Sequence, residues 1–254
     1  MVFERDIEKY TKDYLCHNFE DIMVRIRRDN VLKFFNDYKP KNILEIGCGT
    51  QSIFDFYNDF ETFTVIEPSK KFCENVLKSK NMNSKISVIN DYLENQVDFL
   101  KAKSFDFILC SCLLHEVENP ECFLQHIKQI CKSKTILRID VPNSKSFHLL
   151  WAYESGLLKH IGDLTNTSIK MQQHSTFDID SLLQLVQKLG FEVLSKGSYF
   201  IKPFNHKKMA ELLELEIIDK QLLVGLDNMI KYFPENGAEI FVNCRFSEGE
   251  NDNY

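Results

Sequence analysis

The 254-residue chain has no basic excess: 31 Lys and Arg against 37 Asp and Glu leave a formal charge of -6. Bulk attraction to nucleic acid or to an anionic membrane is therefore not expected. The short clusters Arg25-Ile26-Arg27-Arg28 and His206-Lys207-Lys208 read as solvated helix faces. No uninterrupted apolar run approaches the ~18 residues that span a bilayer, and Met1 to Asp6 holds no apolar signal core. A cytoplasmic, membrane-free protein is the expectation. The 8 cysteines are too scattered for a disulfide scaffold. Their one close pair, Cys110 and Cys112, has the wrong gap for a zinc knuckle, which leaves reduced, buried thiols. The carboxylates do not cluster at a spacing that would hold a metal, and no internal repeat or low-complexity tract is present. What remains, 44% hydrophobic and 27% charged residues, is the composition of an ordinary globular protein, which excludes disorder and collagen-like repeats.

Hydrophobic periodicity sets out the elements. From Asp6 to Tyr38 apolar residues recur at three- and four-residue steps, predicting helix up to Pro40. Asn42 to Ile46 reads as a buried strand that stops in Gly47-Cys48-Gly49-Thr50, where glycines permit a tight turn. A helix over Ser52 to Phe60, a strand at Phe63 to Ile66 and a helix opened by Pro68-Ser69 follow. Further strands are predicted at 86–89, 105–110 and 135–141, with a helix at 120–131. This alternation predicts βαβ units and a parallel sheet covered on both faces. After Pro142 the regularity breaks. A helix at 181–189 ends on Gly190, strands fall at 191–194 with 198–200 and at 239–246, and 207–233 is a long helical insertion. The polar tail Ser247 to Tyr254 is expected to fray.

The chemistry sits in Ile43-Leu44-Glu45-Ile46-Gly47-Cys48-Gly49-Thr50. Open α/β proteins bind ligands at the carboxyl edge of the sheet, where these glycines lie. A nicotinamide or flavin site would want a third glycine at residue 52, and Ser52 stands there. Glu45 precedes the glycines, Glu67 ends the second strand where a carboxylate can accept from both hydroxyls of a ribose, and Asp91 and Tyr92 follow the third strand. This order resembles the class I S-adenosylmethionine-dependent methyltransferases. The resemblance implies a three-layer, Rossmann-like α/β fold with sheet order 3-2-1-4-5-7-6 and the last strand antiparallel. It implies a single domain over 1–254, with N-terminal helices at 1–39 and helical cap insertions at 143–176 and 205–236. S-adenosylmethionine is the implied cofactor, held by Glu45, Gly47, Cys48, Gly49, Glu67, Pro68, Asp91, Tyr92, Cys110 and Arg25. In that arrangement Asp91 takes the exocyclic amine, the Tyr92 N–H a ring nitrogen, and Arg25 or Arg28 the methionyl carboxylate.

The loop after the fourth strand, Cys110 to Val117, lacks the Asn/Asp-Pro-Pro-aromatic sequence of nucleobase methyltransferases. It looks like the small-molecule branch, where this loop ends in a histidine and an acid. His115, with an ordinary pKa of ~6.5, is a candidate general base, and its alternative reading is a histidine bonded to backbone. His148 and His174 are further catalytic candidates. Asn143, Tyr199 and Lys202 are candidates for the substrate, with Asp140 and Ser146 beside them. Val141 to His148, Tyr199 to Phe204 and Pro234 to Glu239 resemble methyltransferases of bacterial surface-polysaccharide (capsule) gene clusters. That resemblance implies O-methylation of a small polar metabolite carrying a sugar or phosphoramidate group. Two other readings stay open: a catalytically silent partner protein built on the cofactor fold, and a nicotinamide-dependent oxidoreductase.

Overall fold

Short apolar runs bury both faces of the central strands in the computed structural model, which describes residues 5–16 and 19–246. The tail 247–254, expected to fray, lies outside the described residues. Five strands run parallel: β1 (Asn42–Ile46), β2 (Thr62–Ile66), β3 (Ile86–Ile89), β4 (Phe107–Ser111) and β5 (Ile136–Pro142). β6 (Phe191–Tyr199) and β7 (Glu239–Phe246) complete a seven-stranded sheet in the order β3-β2-β1-β4-β5-β7-β6, with β7 antiparallel to both neighbours. The expected topology is the observed one.

Successive side chains of a strand face opposite ways, so each strand feeds two cores. Ile43, Phe63, Val65, Phe107 and Leu109 pack against Phe35 of α2 (Glu20–Tyr38) and against Phe72 and Val76 of α3 (Lys70–Leu77). Phe35 meets the Phe107 ring edge-on at 4.9 Å and the Tyr57 ring at 4.8 Å. Leu44, Ile108, Leu137 and Ile139 face the other way, onto α4 (Leu93–Lys101), α5 (Pro120–Ile130) and α8 (Ile179–Lys188). Each such side chain contributes ~1.5–3 kcal/mol relative to exposure. A third cluster joins Phe19 and Met23 of the N-terminal region to Phe200, to Met209 of α9 (His206–Glu214) and to Leu223 of α10 (Lys220–Asn228).

Several boundaries differ from the sequence reading, each for a local reason. The helix expected over 52–60 is a single 3-10 turn, Ile53–Asp55. The Glu45 carboxylate draws in the Ile53 N–H and the Ser52 hydroxyl, and Phe54 and Phe60 turn into the core instead of one helical face. The N-terminal run is two helices, α1 (Ile7–Leu15) and α2, with Phe19 at a φ of 70° before the second. The insertion at 207–233 divides into α9 and α10 because Glu216 takes a φ of 54° and the Asp219 side chain caps the Leu222 N–H. α4, which the sequence reading does not include, forms because Leu93, Val97 and Leu100 recur at helical spacing and bury one face. β4 starts at Phe107, since the Asp106 carboxylate accepts from the Lys41 and Asn42 N–H groups and is held outside the strand. The segment after β5 holds α6 (Phe147–Glu154) and the short α7 (Asn166–Lys170).

Candidate active site

A cavity of about 640 Å³ opens over the carboxyl ends of β1, β2 and β4, walled by α1, α2, α6 and the segment that leads into α9. Glu45, Gly47, Cys48, Gly49, Glu67, Pro68, His115, Asn143, His148 and Lys202 all line it. The turn after β1 needs its glycines, with φ of 76° at Gly47 and 56° at Gly49, a region that side chains resist. A Cβ at Gly47 would lie 3.5 Å from Leu113, so conformation rather than space excludes other residues there.

The acid two residues before Gly47 holds the turn instead of facing a ligand. Glu45 is buried, bonded to the Ser52 hydroxyl and the Ile53 N–H, and burial pushes its pKa up from 4.5 to about 8. Between those values the folded protein keeps a proton that the unfolded chain releases, so this group's stability contribution is lost as pH rises. Melting temperatures of the wild type and Glu45→Gln, compared from about pH 5 to about pH 9, should diverge, with the wild type losing ground by several degrees. Parallel curves would show that Glu45 does not titrate in this window.

Glu67 ends β2. Its Oε2 accepts the Cys48 N–H at 3.1 Å and its Oε1 the Ser69 N–H at 2.8 Å, which aims the carboxylate along the cavity wall. Each carboxylate oxygen has two lone pairs, so Oε1 keeps accepting capacity beyond the Ser69 bond. Burial raises the pKa of Glu67.

Across the cavity, after β4, His115 and Glu116 are both buried. Burial, with Arg27 and Arg5 adding to it, takes the His115 pKa down to about 3, so the ring is neutral. Its Nδ1 is buried with no hydrogen-bond partner among the described residues. Glu116 lies 3.8 Å from His115 Nε2 and is held at about 7, since burial outweighs the Arg5 guanidinium 2.6 Å away and the Tyr10 hydroxyl at 3.1 Å. Arg5 and Tyr10 come from α1 and the stretch before it, so this pair also holds α1 over the cavity. As it stands, His115 is a weak base, and Glu116 is the carboxylate matched to neutral pH.

Of the other predicted residues Arg28 alone joins the walls, and Arg25, Asp91, Tyr92, Cys110, His174 and Tyr199 lie outside them. Arg25 is exposed, while Arg27, two residues on, is turned inward and grips Glu239 at 2.8 and 2.6 Å. The solvated reading of that cluster therefore fits Arg25 and not Arg27. Arg28 reaches the cavity with its guanidinium over the Phe56 ring at 3.7 Å. Asp91 is engaged by Asn95, Gln96 and the Tyr92 N–H at 2.8 Å, so the amide expected to meet a ring nitrogen already has an acceptor. Cys110 is enclosed within β4, and His174 is exposed, with its N–H on the His115 carbonyl. Tyr199 lies below the cavity, its hydroxyl between Glu239 (2.5 Å) and Asp140 (3.1 Å). Glu116, Arg27, Tyr10 and Arg5 were not singled out by sequence reasoning. Their partners are distant in the chain, and only the His-acid dipeptide after β4 marked the place.

The residues fit S-adenosylmethionine: a left-handed glycine turn, a buried carboxylate with spare accepting capacity at the end of β2, and an orphaned imidazole nitrogen across the cavity. With the sheet order, they define a class I S-adenosylmethionine-dependent methyltransferase domain. The chain belongs to the methyltransferase-domain family, whose profile matches residues 17–196. It is 29% identical over 128 residues to the thiol S-methyltransferase TMT1B of Rattus norvegicus, covering 48% of this chain and 52% of that one. The protein of the same name from Homo sapiens is 27% identical over 146 residues, 53% and 59% of the two chains. The matches thus span little more than half the length of these curated relatives. Among solved structures, the plantazolicin methyltransferase BamL, in complex with a triazolic desmethylPZN analog and SAH, superposes with a TM-score of 0.60 at 15% identity, covering 93% of this chain and 90% of the other. The N-methyltransferase NodS of Bradyrhizobium japonicum WM9, with S-adenosyl-L-homocysteine, gives 0.55 at 11% identity, covering 88% and 87%. At such identities these structures establish the shared fold. Among the described residues no helix is long and apolar enough to cross a membrane.

Proposed function

We propose that this domain methylates an oxygen of a small polar metabolite, a sugar or phosphoramidate group destined for a surface polysaccharide being the class of acceptor. The observation that carries the reading is the buried His115–Glu116 pair in the cavity wall, with a carboxylate held at about 7. A hydroxyl acceptor must lose a proton as it is methylated, and a base titrating near neutrality suits that task. S-adenosylmethionine, when bound, supplies an electrophilic methyl on a sulfonium. The Gly47–Gly49 turn and Glu67 hold and orient the cofactor, Glu116 receives the acceptor's proton, and the neutral His115 ring positions the acceptor hydroxyl. α1, pinned through Arg5 and Tyr10, excludes water.

Glu116→Gln, which removes the base, should lower turnover by ~10² or more while S-adenosylhomocysteine binding is kept. An unchanged rate would remove Glu116 as the base. The names of the curated relatives favour a second reading, a thiol acceptor, which ionises more readily and needs less help from a base. Incubation with matched hydroxyl and thiol acceptors, followed by S-adenosylhomocysteine release, separates the two. Turnover of thiols alone would overturn the O-methylation reading.

A further inference from the structure

We propose that Lys202, positioned by His206, forms with His148 an oxyanion subsite at the acceptor end of the cavity, so that the molecule methylated here carries a phosphate or carboxylate group. The proposal rests on the methyl-transfer reading above.

Lys202, between β6 and α9, is 5% exposed and lies in the cavity wall. Its ammonium has three N–H donors. One meets His206 Nδ1 at 3.2 Å, and among the described residues the ammonium forms no ion pair with a carboxylate. That contact makes Nδ1 the accepting nitrogen of His206 and places the ring proton on Nε2, 3.4 Å from Glu20 Oε2. The nearby acids are committed elsewhere. Glu239 is gripped twice by Arg27 and takes the Tyr199 hydroxyl, and Glu20 is 3.3 Å from Arg27 as well as facing His206. Glu239 and Glu20 favour the charged form of Lys202 and Arg27 opposes it, but burial dominates and brings its pKa down to about 8.

His148 comes to the same place from α6, its Nδ1 3.0 Å from the Ser146 hydroxyl. His148, Lys202 and His206 line the one cavity, and burial first, then the charges of Lys202 and His206, disfavour protonation of His148. A buried cation lacking a carboxylate partner is costly, and a ligand oxyanion would relieve that cost. Two N–H groups of Lys202 are left to bind one. Beside this spot Trp151 and Phe204 pack at 5.3 Å and both line the cavity, an apolar wall for the organic body of such a ligand. A neutral acceptor would leave the ammonium as it is, so the arrangement discriminates by charge.

The test uses the full chain with S-adenosylhomocysteine bound, titrated with inorganic sulfate, whose charge is constant over the pH range. Sulfate should bind the wild type and shield Lys202 from acetylation read by mass spectrometry. Binding should weaken ~10-fold or more in Lys202→Met, and in the wild type as pH rises above about 8. S-adenosylhomocysteine affinity serves as the fold check and should be the same in both proteins. With S-adenosylmethionine, sugar phosphates and uronic acids form separate arms beside neutral sugars. The anionic arm that turns over identifies the group, and its KM should rise ~10-fold or more in Lys202→Met. Equal sulfate binding by wild type and variant, or turnover of neutral sugars alone, overturns the subsite and leaves the cofactor reading intact. Failure of the wild type to bind S-adenosylhomocysteine overturns both.

Discussion

Replacing Asp140 with Ala is expected to lower the unfolding free energy by ~3–5 kcal/mol, the usual consequence of stripping a buried ion pair of one partner. Arg138 and Asp140 alternate along β5 toward the same side and are 1% and 0% exposed. The guanidinium binds the carboxylate twice, at 3.0 and 2.8 Å, reaches Asn30 of α2 at 2.7 Å and stacks on the Phe241 ring at 4.4 Å. The carboxylate also receives the Ser111 hydroxyl at 3.1 Å. Ala at residue 140 leaves a charged guanidinium inside the sheet with Asn30 as its remaining polar partner. The double replacement Arg138→Met with Asp140→Leu removes both charges and should recover most of the loss, because no ion is then stranded. Urea denaturation of the three proteins decides the matter. A loss below about 1 kcal/mol for the single variant would show that water reaches Arg138 and that the pair is not a buried one.

Glu67→Gln should weaken S-adenosylhomocysteine binding by ~10²-fold or more. Hydrogen bonds to a charged acceptor are worth ~1.5–3 kcal/mol each, and two ribose hydroxyls donate in the expected pose. The amide keeps the shape of the side chain but not its chemistry. Ser69 and Cys48 present N–H donors to the two carboxylate oxygens, so one of them would face an NH2 group whichever way the amide turns. The effect therefore combines lost acceptors with a disturbed glycine turn. Calorimetry with S-adenosylhomocysteine reads it directly, and a change smaller than about fivefold would move the ribose away from Glu67.

Much of this fold is legible locally. Ile43 to Ile46 is a strand because it is apolar and short, and Gly47 and Gly49 break it because φ turns positive there. The alternation up to β5 dictates a parallel sheet, since parallel neighbours need a crossover connection, most often a helix. In two places where the sequence reading fell short, a carboxylate outside the element had taken over its backbone or hydroxyl groups. The 52–60 helix is absent because Glu45 claims the Ser52 hydroxyl and the Ile53 N–H, and β4 starts late because Asp106 turns back to the Lys41 and Asn42 amides.

The site divides the same way. The glycine turn, the acid at the end of β2 and the His115-Glu116 dipeptide are short-range features, and the sequence alone determined that they lie at one sheet edge. Tertiary structure alone decided that Arg27, and not Arg25, turns inward, because its partner Glu239 is 212 residues away. It decided too that Glu116 titrates near neutrality and that Lys202 is buried against His206 with no carboxylate partner among the described residues. Burial and charge pairing are properties of what packs around a side chain, and for these residues the neighbours come from α1, α6, α9 and β7. Helical and strand periodicity carry no information about such partners.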